Sequence, residues 1–160
     1  MLLRPFRIFV LLTCLPCAAA ATESNVDLVK RLYAKYAWES TDRSPKGATS
    51  FIDEPRAELL KYLVPALAEA LLQDRQCAKQ TRQLCRLDFS PMWASQDPGA
   101  RELHVKQGSS ATRVQVSFTY PGTGERLVIE YELAQTAGGP RIRDVYYSVG
   151  PALRKTLGVK

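Results

Sequence analysis

The feature that most constrains this 160-residue chain is a change of hydrophobic period near its middle. In the first half Val26, Val29, Leu32, Tyr33 and Tyr36 recur at three- and four-residue spacing, with Asp27, Lys30, Arg31 and Lys35 between them. That pattern predicts an amphipathic helix over residues 25–39, capped by Ser24 or Asn25 with Asp27 against its dipole. Beyond Thr112 the period falls to two. Val114, Val116, Phe118 and Tyr120 alternate with Arg113, Gln115, Ser117 and Thr119, and Leu127, Ile129, Tyr131 and Leu133 alternate with Val128, Glu130, Glu132 and Ala134. A chain with helical periodicity first and strand periodicity second segregates its elements, which is the α+β class.

Other elements follow from breakers and caps. Pro55 opens a second helical region whose apolar face is Leu59, Leu60, Leu63, Leu67, Leu71 and Leu72. Pro65 inside it removes a hydrogen bond and clashes one turn back, so two helices are expected, about 55–62 and 65–77. A further helical turn is expected to reach Leu84. Short loops at Pro121-Gly122-Thr123-Gly124 and Ala137-Gly138-Gly139-Pro140 join strands expected at 112–120, 126–135 and 141–149, after a short one at 102–106. Pro151 opens a short C-terminal helical tail. Short loops make successive strands neighbours, so the sheet is an antiparallel meander of about four strands with one face on the helices.

Residues 1–20 read as a secretory leader: Arg4 and Arg7, then an uncharged run from Ile8, ending in Ala18-Ala19-Ala20-Ala21. Cleavage is expected after Ala20 or Ala21, leaving one domain over 21–160 in the periplasm or secreted. Neither Cys14 nor Cys17 follows a small residue, so no lipid anchor is expected there. The remaining pair, Cys77 and Cys85, then reads first as a disulfide. Eight residues of straight helix span about 12 Å, whereas bridged Cα atoms lie about 4.4–6.8 Å apart. The helix must therefore break or turn between them.

With 46% hydrophobic and 24% charged residues, a disordered chain is excluded. The net charge of +6 is scattered, without a block of like charges, so no nucleic-acid arm is expected. Two cysteines and His104 cannot by themselves supply four zinc ligands. His104 falls opposite Leu103 and Val105 and is expected to face outward; no nucleophile elbow or P-loop accompanies it. Glu130 and Glu132 read as a solvated face. Asp88 and Asp97 flank a proline turn and are expected to cap backbone N–H groups. Asp88 or Asp144 beside a tyrosine in a cavity would instead suit acid–base chemistry. Tyr146 and Tyr147 point to opposite faces of their strand.

Three stretches carry a resemblance. Val29-Lys30-Arg31-Leu32-Tyr33-Ala34-Lys35-Tyr36, Leu60-Lys61-Tyr62-Leu63-Val64-Pro65-Ala66-Leu67 and Leu87-Asp88-Phe89-Ser90-Pro91-Met92-Trp93-Ala94-Ser95-Gln96-Asp97 resemble the first helix, a Leu-x-Tyr-Leu-x-Pro junction and an Asp-aromatic-x-Pro … Gln-Asp segment of exported bacterial proteins of the YbjP/YqhG type. That resemblance implies export and a nuclear-transport-factor-2-like, or cystatin-like, α+β fold. There a curved sheet wraps a helix and leaves a conical cavity. It implies no catalytic residue.

The expectation for function is a non-enzymatic periplasmic binding or protein-interaction domain, an immunity protein against a secreted toxin being one form. Its partner is a protein or a small apolar ligand, and no cofactor is implied. The alternative is a small cavity enzyme using carboxylates and tyrosines. Candidate ligand or partner residues are Trp93, Asp88, Gln96, Asp97 and Tyr146. Phe89 is expected to anchor its segment to the core and Trp93 to lie at a cavity mouth or partner surface.

Overall fold

The computed structural model describes residues 23–41 and 43–159. The expected leader, with Cys14 and Cys17, lies outside the described residues. Helix α1 spans Asn25–Tyr36 and is continued by a 3-10 turn, Ala37–Ser40. Ser24 is its N-cap, the side chain accepting from the Asp27 N–H. A 3-10 turn at Phe51–Asp53 and the short α2, Arg56–Leu59, lead to α3, Pro65–Thr81. Strands β1 (Arg101–Gln107), β2 (Arg113–Thr119), β3 (Arg126–Thr136) and β4 (Gly139–Tyr147) precede α4, Leu153–Leu157.

The α+β expectation holds: the sheet is an antiparallel meander in the order β1-β2-β3-β4, with helices packed on it. Leu28, Val29, Leu32, Tyr33 and Tyr36 of α1 are buried in one cluster with Val114, Val116, Phe118, Ile129, Tyr131, Leu133, Ile142 and Val145 of the sheet. The helix break at Pro65 ties the helices to the sheet. Pro65 sits in the first turn of α3, where its missing N–H is no loss. The extended residues before it form a strap along β4: the Val64 N–H donates to Ile142 O at 2.9 Å and the Ile142 N–H to Tyr62 O at 2.7 Å.

Three boundaries differ from expectation. Helix α3 runs to Thr81, and no further helical turn reaches Leu84, because Arg82 adopts a left-handed conformation (φ 56°) that ends the helix. Strand β4 starts at Gly139 and stops at Tyr147, leaving Val149 outside the sheet and 86% exposed. Helix α2 is a single turn. The ladder also carries two irregularities, one between Arg101 and His104 and one opposite Glu132/Leu133 that leaves Arg143 as an extra residue.

Candidate functional site

The site is built around the chain that leaves α3. Cys77 and Cys85 are joined, with their Cα atoms 6.2 Å apart, so the chain doubles back as soon as Arg82 stops the helix. The Asp74 carboxylate, one turn before Cys77, then accepts from the N–H groups of Arg86 (2.8 Å) and Leu87 (3.2 Å). Next comes a tight turn. Ser90 and Ser95 pair through their backbones, and the Ala94 N–H donates to Ser90 O at 2.8 Å with Ala94 at φ 50°. The turn drives Met92 and Trp93 inward.

Here the structure corrects an expectation. Trp93 is 1% exposed and lies at no cavity mouth. Its ring packs edge-on against Tyr33 at 5.1 Å and Phe118 at 5.5 Å between centroids. Its Nε1–H donates to Glu39 Oε2 at 3.3 Å. Tyr33 donates to Met92 O at 2.6 Å, which leaves Tyr131 as the donor in the 2.8 Å bond between the two hydroxyls. Burial pushes both hydroxyls well above the usual tyrosine range. So the ground between α1 and the sheet, where the resemblance implies a cone-shaped cavity, is filled by Trp93 and its partners. Phe89 takes the opposite place: it is half-buried, edge-on to Tyr147 at 5.2 Å, and lines two surface clefts.

Glu39 joins three segments. Its other oxygen accepts the Phe51 N–H at 2.5 Å, tying the 3-10 turn after α1 to the loop at residues 50–53. Burial raises its carboxyl above the ordinary range, against those hydrogen bonds. Beside it lies a cleft of about 360 Å³, lined by Trp38, Ile52, Leu84, Leu87, Phe89 and Pro98 together with the polar side chains of Glu39, Asp88 and Gln96. A second cleft of about 350 Å³ shares Ile52, Leu84 and Leu87 and continues along α3 over Leu71 and Ala78. Leu84 stands between them, 73% exposed.

The remaining expected residues separate. Asp88 and Gln96 meet at the first cleft, Gln96 Nε2 donating to Asp88 Oδ2 at 3.4 Å. Asp97 contributes only backbone: its carbonyl accepts from Ser95 Oγ and from the Tyr120 hydroxyl. Neither acid caps a backbone N–H among the described residues. The Ser90–Ser95 pair and the bond from the Asp97 N–H to Ser95 Oγ close the turn without them. Other acids do accept backbone N–H groups, among them Asp74, Glu39 and the buried Asp144, whose Oδ1 accepts from Val145 and from Arg154 in the first turn of α4. Tyr146 lies on the other sheet face. There it donates to Glu132 Oε2 at 2.7 Å beneath the Arg113 guanidinium, 4.0 Å from its ring centroid. Glu130 and Glu132 pair with Arg113 on that face. His104 is exposed on β1. Among the described residues no three His, Cys, Asp or Glu side chains converge as metal ligands, and no helix is long and apolar enough to cross a membrane.

Glu39, Ile52 and Leu84 were not singled out as site residues by the sequence. Glu39 falls at the end of an amphipathic helix pattern, where an acid reads as solvated, and Leu84 continues a leucine-rich helix. No local signal distinguishes either.

No protein-family model matches the chain, and no curated protein matches it. Two solved structures resemble it. One is a protein of unknown function from Bacteroides thetaiotaomicron, 16% identical, covering 76% of this chain and 87% of that one with a TM-score of 0.43. The other is a phospholipid-binding protein from Ralstonia solanacearum in complex with a phospholipid, 13% identical, covering 84% and 83% with a TM-score of 0.42. At these identities neither likeness transfers a ligand to this chain.

Proposed function

We propose that the protein is a non-enzymatic binding domain, periplasmic or secreted, that holds an apolar or amphipathic ligand in the two clefts on either side of Leu84. The observation that carries this reading is the placement of Leu84. A leucine left 73% exposed between two apolar clefts, on a loop stapled at Cys85 and clamped by Asp74, is held out rather than left over. Export is supported by the disulfide, which persists in oxidising compartments, and by the leader pattern and YbjP/YqhG-type motifs of the sequence. Acid–base chemistry finds less support. Asp144 is engaged with backbone, and Tyr147, which shares a cleft with Asp88, donates its hydroxyl to Pro91 O at 3.2 Å.

The test is a titration of the oxidised protein with N-phenylnaphthylamine, a neutral apolar dye. Saturable enhancement of its emission is expected for the wild type, with quenching of the half-buried Trp38. Leu84→Asp should lose at least tenfold in affinity while melting at the wild-type temperature. Equal binding by both proteins, or no saturable binding, would remove the clefts from consideration.

A further inference from the structure

The charge and shape of the first cleft narrow its occupant beyond the apolar binding proposed for this face, on which this inference rests. The chain as a whole is basic, at +6, yet the first cleft is lined by two acids, Glu39 and Asp88, and by no Lys, Arg or His. Glu39 is occupied by Phe51 and Trp93. Asp88 is exposed and, among the described residues, holds only the long contact to Gln96, so it is the carboxylate of this cleft available to a ligand. The second cleft differs. It holds both signs: Asp74 is taken up by the Arg86 and Leu87 N–H groups, Asp53 accepts from Ser50, Arg75 is turned onto the carbonyls of Ile52 and Glu54, and Lys79 is an exposed cation. An anionic amphiphile would therefore meet repulsion at the apolar cleft nearest Asp88.

Shape points the same way. Two open clefts that share a wall of Ile52, Leu84 and Leu87 make two adjacent seats, not a tunnel. An acyl chain laid across them stays largely wet, whereas ligand pockets generally bury most of the ligand. Two neighbouring side chains of a polypeptide fill one seat each, as anchor residues do at protein interfaces. We propose that this face docks a polypeptide segment of a partner protein, two neighbouring apolar side chains entering one cleft each beside Leu84 and an adjacent Lys or Arg pairing with Asp88.

The test is selection of a random peptide library displayed on phage, using the oxidised protein expressed with its own leader and counter-selecting on Leu84→Asp. Enriched peptides should place Lys or Arg within two positions of Leu, Phe or Trp. As synthetic peptides they should quench Trp38, weaken at higher salt, and lose at least tenfold in affinity on Asp88→Lys. Sodium dodecanoate is the parallel probe. Peptides without a base, or peptides indifferent to Asp88→Lys, would overturn the proposal. Dodecanoate binding that needs Leu84, with no peptide enriched, would overturn it while leaving the apolar binding reading intact. No binding of peptide, dodecanoate or dye would end both.

Discussion

Trp93 and Phe89 differ by four positions and by almost everything physical. Trp93 is enclosed by Tyr33, Phe118 and Glu39, so deleting its ring leaves a cavity in contact with both α1 and the sheet. Trp93→Ala should cost about 3–5 kcal/mol, the range for large aromatic side chains deleted from cores. Phe89→Ala should cost clearly less, since that ring is half-buried. Urea unfolding of the two variants checks the order; an equal or larger loss for Phe89→Ala would contradict the packing described. Trp93→Phe, which keeps an edge-to-face ring but frees Glu39 from one donor, should fall between wild type and Trp93→Ala. The sequence showed that this segment holds large apolar residues at a loop. It did not show which of them turns inward. That choice is made by the left-handed Ala94 and the Ser90–Ser95 closure, and Asn and Gly, the usual markers of such a conformation, are absent from the turn.

Among the elements, the end of α3 decides where the clefts lie. A helix continuing past Arg82 would carry Leu84 elsewhere; the αL residue and the Cys77–Cys85 bridge instead return the chain to the Asp74 carboxylate. Changing both cysteines to serine should lower stability by roughly 2.5 kcal/mol from the entropy of the small closed loop. It should also speed amide exchange at Arg86 and Leu87, whose N–H groups Asp74 holds only while the loop is in place. Hydrogen–deuterium exchange against the wild type reads this directly. Unchanged protection at both amides would mean that Asp74 alone fixes the loop. That the helix must turn between the cysteines was legible from 1.5 Å of rise per residue against the reach of a disulfide. The residue at which it turns was not, because arginine has no preference for the left-handed region.

Across the molecule as a whole, the sheet has two edges and the fold treats them differently. The strap from Tyr62 to Val64 pairs along β4, joining the Leu-x-Tyr-Leu-x-Pro stretch to the last strand. The edge strand β1 is instead irregular near Glu102 (φ 53°) and carries exposed Arg101, Glu102, His104 and Lys106, features that discourage pairing with another chain. Replacing His104 and Lys106 together by valine should therefore raise self-association without loss of fold. Sedimentation velocity at matched concentration would show dimers or larger species in the variant. A variant that stays as dispersed as the wild type would mean that something other than these side chains guards the edge.

Residue pattern was enough to establish the class of the fold, its element order, the sheet meander and the buried faces. Leu32, Tyr36, Leu63, Leu67, Val116, Phe118, Ile129 and Tyr131, picked by period alone, all lie in the core. Period is a local property, and burial of one face per element follows from it wherever a single core forms. The site is a product of tertiary folding. Glu39, Ile52 and Leu84 come from three separate stretches and carry no pattern of their own. They meet because a left-handed arginine, a disulfide and an inward tryptophan direct the chain there. Those are long-range constraints, and a long-range constraint leaves no periodic trace in the residues it brings together.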